Sequence, residues 1–413
     1  MTGRRPSWGC CAPSMGCRSC GWGSVRARRC VSAGFCRSIW RRWRRRSGSG
    51  RCCHEVHPSL CQPGRRIVPM KSPPPTYRQA GVDLALADHF AAQLRQAAQA
   101  THDAAVVDAG EAYAGLYRPP LAGLADPLLA ATCDGVGTKL LVARDCADYR
   151  GIGQDLVAMN VNDLLPRGAR PLFFLDYIAA GVLASVPLPE IAAGMLAACR
   201  QVGCALLGGE TAELPDAYRP GDCDLAGFAV GLVDRGCVPR GGLCAGDLIL
   251  GYPSNGIHAN GLSLARKILS AAGLAYADRV PELAESIGAE LLRPTRLYVE
   301  PVLRLMSQVP IKAAAHVTGG GLLRRALGLC PEGLRLWIDP DSYVRPPIFS
   351  LLARLGGVAE DELAGTFNLG LGFLLVAGRE QQAALAPFLD GDLRVVGEVR
   401  AGPRGVELGY AAI

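Results

Sequence analysis

The chain has 413 residues, of which 49% are hydrophobic and 20% are charged, and a formal net charge of +7. This length allows two domains of ordinary size, and the apolar fraction excludes a chain that is disordered throughout. The charge is divided unequally. Residues 1–69 carry 15 Arg and one acid, whereas residues 70–413 carry 29 Lys and Arg against 36 Asp and Glu.

The basic segment 1–69 holds 9 of the 17 Cys and 4 of the 5 Trp, and it has no apolar periodicity. Cys17 and Cys20 could bind zinc, and the arginine run 41–46 could contact nucleic acid or a membrane surface. The segment could also be a transit peptide. Because no part of it has a consistent secondary-structure pattern, we predict an unstructured leader that precedes a translation start at Met70.

Residues 70–413 have the composition of a folded protein outside the membrane. Their most apolar region, 171–199, is interrupted by Asp176, Pro187 and Glu190, which excludes a membrane-spanning helix of about 20 apolar residues. Their eight Cys form no CxxC pair, which favours free thiols in a reducing compartment. We therefore predict a cytoplasmic protein without a membrane or nucleic-acid partner.

A glycine-containing turn follows a predicted helix over 83–100 and a predicted strand over 128–131. Its sequence is Asp-Gly-Val-Gly-Thr-Lys, and the glycines at 135 and 137 let the backbone approach a ligand closely. Asp134, Thr138 and Lys139 supply the carboxylate, hydroxyl and ammonium groups that hold Mg²⁺ and a polyphosphate. Taken alone, an ordinary turn with a capping Asp explains the pattern equally well.

Further acids follow in the predicted helix 151–165 and after two predicted strands. Asp155 and Asn162 lie seven residues apart on roughly one helix face, and Asp163 is adjacent. The strand over 172–175 precedes Asp176, and the strand over 205–207 precedes a glycine turn with Glu210. We predict that strand ends deliver acids to the site.

The second half begins after a glycine-rich boundary at 240–246. His258 lies in the loop 253–261, and His316 precedes a triple glycine that opens a helix, an arrangement that can bind an anion. A lone His is more often structural, but a position beside such loops favours catalysis. The chain contains neither GxxxxGK[ST] nor a GxGxxG between strand and helix, which excludes a P-loop and a Rossmann dinucleotide site.

Nine segments, in this order, resemble the phosphoribosylformylglycinamidine cyclo-ligase family, also called aminoimidazole ribonucleotide synthetases. They are 77–83, 134–140, 155–165, 171–177, 208–215, 258–269, 291–298, 315–321 and 366–372, so that the resemblance covers about residues 77–400. It implies a two-domain α/β fold, with domains over 77–240 and 245–405, and a homodimer in which the N-terminal sheets pair into a barrel. It also implies ATP-dependent ring closure of formylglycinamidine ribonucleotide in purine biosynthesis.

The resemblance also implies roles for individual residues. Asp134, Asp163 and Glu210 would hold Mg²⁺, and His258 or His316 would handle the proton released at ring closure. ATP and phosphate binding would involve Lys139 and the following residues: Gly135, Gly137, Thr138, Asn162, Thr318, Gly319 and Gly320.

Three places depart from the family pattern. The segment 110–115 stands where the family usually has a glycine-rich segment near the nucleotide, and it keeps the shape with fewer glycines. Arg95 stands where the family usually has a Lys that reaches the site, and Arg keeps the charge but cannot deprotonate. Asn255 stands within a loop where the family usually has Ser-Ser-Gly.

The sequence also allows three other interpretations. The chain could be a sibling enzyme of the wider superfamily, such as selenophosphate synthetase, thiamine-phosphate kinase or a hydrogenase-maturation dehydratase. It could be an inactive relative that only binds nucleotide. The basic leader could also bind nucleic acid, which would make binding strongly dependent on salt concentration.

Overall fold

The computed structural model describes residues 76–109 and 113–409. The predicted leader and the predicted start at Met70 lie outside these residues. The described residues form one compact unit. The helices of the described part are α1 Leu84–Ala98, α2 Lys139–Cys146, α3 Ile152–Leu164, α4 Leu188–Val202, α5 Leu262–Ala271, α6 Ile287–Leu292, α7 Val299–Met306, α8 Gly321–Leu327, α9 Pro347–Gly356, α10 Glu360–Thr366 and α11 Gln382–Leu389.

Two sheets are built from the first half of the chain. A small antiparallel pair joins β1 and β2, and a four-stranded sheet has the order β3-β6-β4-β5. Within it β4 and β5 are parallel, with α4 between them in sequence, and the other pairs are antiparallel. The strands are β1 Val106–Ala109, β2 Gly115–Tyr117, β3 Pro127–Gly135, β4 Arg170–Ala180, β5 Ala205–Glu213 and β6 Cys223–Asp234.

The structure corrects the prediction that acids leave the ends of strands at 176 and 210. The parallel pairing of β4 with β5 continues to Ala180 and Glu213, so Asp176 and Glu210 both lie inside strands. Gly209 pairs with Asp176 in this ladder. A Cβ at Gly209 would lie 2.2 Å from Oδ1 of Asp176. The glycine is required by close packing against Asp176, and the predicted turn over 208–213 is wrong.

The second half forms a six-stranded sheet with the order β12-β9-β11-β7-β10-β8. All its pairs are antiparallel except β9 with β12. The inner strand β10, between β7 and β8, is buried along its whole length. The strands are β7 Leu248–Pro253, β8 Ile311–His316, β9 Leu334–Ile338, β10 Leu371–Ala377, β11 Arg394–Ala401 and β12 Gly405–Leu408.

Two hydrophobic cores cover the two faces of the C-terminal sheet. One core continues into the N-terminal half, where α3 and α4 cover one face of the four-stranded sheet with side chains such as Leu156 and Ile191. The second core packs Leu322 of α8 against β10 residues such as Leu374. The predicted two-domain α/β fold is therefore confirmed, and the shared core joins its two halves. Within the described residues, no helix is long and apolar enough to cross a membrane.

Candidate active site

Carboxylates from the first half meet a histidine from the second half at the end of β3. Asp163, near the end of α3, accepts a hydrogen bond from Nδ1 of His316 at 2.7 Å. His316 is the last residue of β8 and its side chain is buried. Asp134 lies near enough for its charge to interact with both groups. The sequence-based prediction placed all three residues in the site, and the structure brings them together.

Asp134 occupies a half-buried position that is held by neighbouring amides. The backbone N–H of Asp134 donates to Oδ1 of Asn160 at 2.9 Å. Oδ1 of Asp134 accepts a hydrogen bond from Gly135 N–H at 2.7 Å. Burial raises the pKa of the Asp134 carboxyl, and the negative charge of Asp163 adds to that rise. A cation at this position would relieve both effects, since opposite charge favours the ionised carboxylate.

Three loops surround this cluster. Oγ1 of Thr138 lies 3.1 Å from Oγ of Ser263 and so joins the turn after β3 to the start of α5. The side chain of Asn260, in the loop before α5, lies beside Gly319. Oγ1 of Thr318 is buried without a hydrogen-bond partner among the described residues, so it is free to contact a ligand. The predicted phosphate-binding loops thus converge.

His258 lies on the same side of the C-terminal sheet and has a defined tautomer. Its Nε2 lies 2.9 Å from Oδ1 of Asn255, which can only accept, so Nε2 carries the proton. Nδ1 is then an unprotonated acceptor, and it is buried without a hydrogen-bond partner among the described residues. Burial lowers the pKa of His258 well below its ordinary value, so the imidazole is neutral at pH 7.

Tyr298 packs between the two histidines. Its ring centroid lies 6.4 Å from that of His258 and 6.3 Å from that of His316, and 5.6 Å from that of Phe373. Its hydroxyl donates to the carbonyl of Pro253 at 2.9 Å. A side chain at Gly372 would overlap this hydroxyl, which explains the glycine there. We did not identify Tyr298 from the sequence, although it lies in one of the nine family segments.

The position of Lys139 differs from the predicted phosphate contact. Its Nζ is fully buried and donates to Oδ1 of Asp155 at 2.9 Å and to the carbonyl of Arg293 at 2.6 Å. Burial lowers the pKa of its ammonium, and the charge of Asp155 opposes that change. Its donors face the protein interior, so this geometry indicates a structural ion pair.

Asn162 and Gly135 also use their hydrogen-bonding groups within the protein. Nδ2 of Asn162 donates to the carbonyl of Arg296 at 2.9 Å, and its Oδ1 accepts from Tyr298 N–H at 2.9 Å. Gly135 is needed for packing, because a Cβ there would lie 2.7 Å from the carbonyl oxygen of Leu225. Among the predicted phosphate ligands, Gly137 and Gly320 have the positive φ angles, 66° and 88°, that favour glycine.

In this single chain, Glu210 and Arg95 lie outside the cluster of Asp134, Asp163 and His316. Glu210 pairs with Tyr177 and is exposed, whereas the preceding Gly209 pairs with Asp176 in the same cross-strand row as Asp134. Because successive side chains of a strand point to opposite faces, Glu210 faces away from Asp134. Arg95 is exposed in the last turn of α1. The described residues contain no group of three acids, Cys or His placed to hold a metal ion.

Comparisons with known proteins identify the family. Family models match residues 101–233, as "AIR synthase related protein, N-terminal domain", and residues 245–408, as the corresponding C-terminal domain. Phosphoribosylformylglycinamidine cyclo-ligase of Myxococcus xanthus is 44% identical over 79% of this chain and 96% of its own. The protein of that name from Alkaliphilus oremlandii is 40% identical over 81% and 99%. This chain belongs to the phosphoribosylformylglycinamidine cyclo-ligase family.

The solved structure of an enzyme with a different name has a similar fold. Thiamine-monophosphate kinase from Stenotrophomonas maltophilia has a TM-score of 0.56 and 25% identity, over 80% of this chain and 98% of that chain. The fold is thus common to several enzymes, and the 40–44% identity assigns this chain to the cyclo-ligases. The predicted family and the predicted class of ATP-dependent cyclo-ligase are confirmed.

Proposed function

We propose that this chain closes the imidazole ring of aminoimidazole ribonucleotide at the junction of its two halves. The substrates are formylglycinamidine ribonucleotide and ATP, as the names of its relatives indicate. The observation that carries the assignment to this site is the contact between Asp163 of α3 and His316 of β8. It combines a charge that attracts a metal–nucleotide complex with a group that can move a proton.

The reaction has two steps. The formamide oxygen of the substrate attacks the γ-phosphorus of ATP, ADP leaves, and a poor leaving group becomes a phosphate ester. An amidine nitrogen then attacks the activated carbon, the carbon–oxygen bond breaks, and phosphate leaves as the ring closes. The attacking nitrogen loses one proton in this second step. The protein must therefore position two polar substrates, exclude water and accept one proton.

Two carboxylates fit a magnesium ion that arrives with ATP. Mg²⁺ is often bound by one or two protein carboxylates together with substrate phosphates, so a third carboxylate from the same chain is not required. Asp134 fits because its pKa is already raised by burial and by Asp163. Asp163 uses Oδ1 for His316, which leaves Oδ2 for the ion. When bound, the ion neutralises negative charge on the phosphates during transfer.

We assign to His316 the role of accepting the proton that the attacking nitrogen loses at ring closure. The carboxylate of Asp163 accepts the Nδ1–H bond and so fixes the tautomer in which Nε2 is the acceptor. His258 is the second candidate, because its Nδ1 is also unprotonated, but its strongly lowered pKa makes it the weaker base. Its neutral ring instead limits positive charge in the buried site.

Phosphate oxygens would bind to the loops around the cluster. Gly137 has open space where a Cβ would lie, so a phosphate can approach its backbone. Thr138 and Thr318 add hydroxyl groups, and Gly319 and Gly320 add backbone N–H groups at the start of α8. Lys139 and Asn162 have no phosphate role in this proposal because their polar atoms are already paired.

A homodimer would complete the N-terminal sheet. The face of this sheet opposite α3 exposes large apolar side chains, with Leu129 67% exposed and Phe228 38% exposed. Exposed large apolar side chains on one sheet face indicate a protein partner. Tyr177 and Glu210 lie on this face, so a second copy would cover Glu210. The domain limits 77–240 and 245–405, a role for Arg95 and a cytoplasmic location stay predictions.

Substrate-dependent release of ADP tests this function. The full chain with ATP, Mg²⁺ and formylglycinamidine ribonucleotide should form ADP, phosphate and aminoimidazole ribonucleotide in equal amounts. Chelation of Mg²⁺ should stop all three. Phosphorylation of thiamine monophosphate, or ATP binding without turnover of either substrate, would contradict the proposal.

A further inference from the structure

The segment 293–298 connects α6 to α7 and has no helix or strand of its own. At its two ends, Arg293 N–H donates to the carbonyl of Glu290 and the carbonyl of Tyr298 accepts from Val302 N–H. Six further backbone groups of the segment have side chains as their partners. They are the carbonyls of Arg293, Pro294, Thr295 and Arg296 and the N–H groups of Thr295 and Tyr298. Since buried backbone groups normally bond to other backbone groups, side chains dictate the path of this segment.

Most of these side chains come from the N-terminal half. Asp155 accepts from Thr295 N–H at 2.7 Å and from its hydroxyl at 2.6 Å. Lys139 donates to the carbonyl of Arg293, and Gln154 donates to the carbonyl of Thr295 at 2.9 Å. Lys139, Asp155 and Thr295 are all fully buried. A buried ion pair is costly unless further hydrogen bonds complete it, and here the segment supplies them.

The other side of the segment reaches both histidines. Asn255 donates through Nδ2 to the carbonyl of Pro294 at 2.9 Å, and its Oδ1 fixes Nε2 of His258. Tyr298, at the end of the segment, packs between His258 and His316. One short stretch of backbone is thus attached to the N-terminal half on one side and to the two imidazoles on the other.

We propose that the segment 293–298 positions the two histidines relative to the N-terminal carboxylates, with Thr295 as its anchor and Asn255 as its link to His258. This inference rests on the proposed function. It assigns positioning, not contact with substrate, to Lys139, Asp155 and Thr295. Loosening the anchor should lower the rate of the chemical step more than substrate binding, because the histidines act while the ring closes.

Replacement of the Thr295 hydroxyl tests the anchor. In Thr295→Val a hydrogen bond to a carboxylate is lost while the side-chain volume is kept, and we expect kcat to fall about tenfold with KM for both substrates changed less than about twofold. Thr295→Ser keeps the hydroxyl and should restore kcat. If Thr295→Val is too unstable to assay, Gln154→Met removes the neighbouring anchor and should lower kcat about fivefold.

Thr101 provides the matched control. Its hydroxyl donates to the carbonyl of Ala98 at 2.7 Å and accepts from Leu206 N–H at 2.9 Å, and none of Asp134, Asp163, His258 and His316 contributes to these bonds. Thr101→Val should lower thermal stability without changing kcat. An unchanged kcat in folded Thr295→Val, or equal losses in the valine and serine variants, would overturn the positioning role. Turnover by the unmodified chain tests the proposed function separately.

Discussion

The N-terminal and C-terminal sheets differ in how completely the chain covers them. The C-terminal sheet has a core on each face, and all seven residues of β10 are buried. The N-terminal sheet has helices on one face only, while Leu129 on the other face is 67% exposed. The half with the more complete sheet supplies the histidines, and the half with the half-covered sheet supplies the carboxylates. The half that holds the acids is therefore the half for which we propose a partner.

Removal of a site carboxylate, which the N-terminal half supplies, should have the largest effect on turnover. In Asp134→Asn we expect turnover to fall by about a thousandfold, because the charge that holds the metal–nucleotide complex is lost. The fold should persist, since Asn keeps the shape of the side chain. Steady-state ADP release and a thermal melt measure the two effects. Asp390→Asn, at an exposed position after α11, should leave both unchanged.

A carboxylate placed on the exposed face of the N-terminal sheet should weaken dimerisation, whereas one placed on the C-terminal sheet should not. Phe228 and Val395 are both 38% exposed, the first on β6 and the second on β11. Phe228→Glu would place a carboxylate in the proposed dimer interface and should weaken association by at least about a hundredfold. Val395→Glu should not. Light scattering at several protein concentrations gives the mass, and equal behaviour of the two variants would argue against a dimer through this face.

Buried acids of the two halves should respond differently to pH. Asp176 in β4 has no hydrogen-bond partner for either carboxylate oxygen among the described residues, and burial raises its pKa to about 7. The folded state therefore holds a proton that the unfolded state, with a pKa of 3.8, has released. Between these values the free energy of unfolding should fall by about 1.4 kcal/mol for each pH unit.

Asp176→Asn should remove this slope and stabilise the protein at pH 8. Asp247, the buried acid before β7, instead forms an ion pair with Lys312 at 2.7 Å. Asp247→Asn should destabilise the protein at both pH 5 and pH 8, because it leaves a partly buried ammonium without its partner. Urea unfolding at the two pH values distinguishes the cases. An unchanged slope in Asp176→Asn would mean that this carboxyl ionises near its ordinary pKa.

The smallest effect is expected at the link between the segment 293–298 and His258. A serine at position 255 is too short to bridge Pro294 and His258, so Asn255→Ser should lower kcat about fivefold. Asn255→Gln, which keeps the amide on a longer chain, serves as the comparison and should lose less. Unchanged kcat in Asn255→Ser would show that Tyr298 alone positions the ring.

Local patterns predicted the helices well, since α1 and α3 lie within about two residues of their expected limits. Asp134 and His316 were singled out because they lie next to glycine turns, whereas the role of Asp163 came from the family resemblance. Errors arose where contacts distant in sequence decide the outcome. Neither the parallel pairing that keeps Glu210 in a strand nor the burial of Lys139 against Asp155 leaves a local signal.

A double-mutant cycle between Asp163 and His316 tests most directly whether the two halves form one catalytic unit. Asp163→Asn and His316→Gln should each lower kcat by about a hundredfold or more, since both belong to the proton-accepting pair. The double variant should then be no more than about threefold slower than the slower single variant. Losses that multiply in the double variant would show that the carboxylate and the histidine act independently, and would contradict this account.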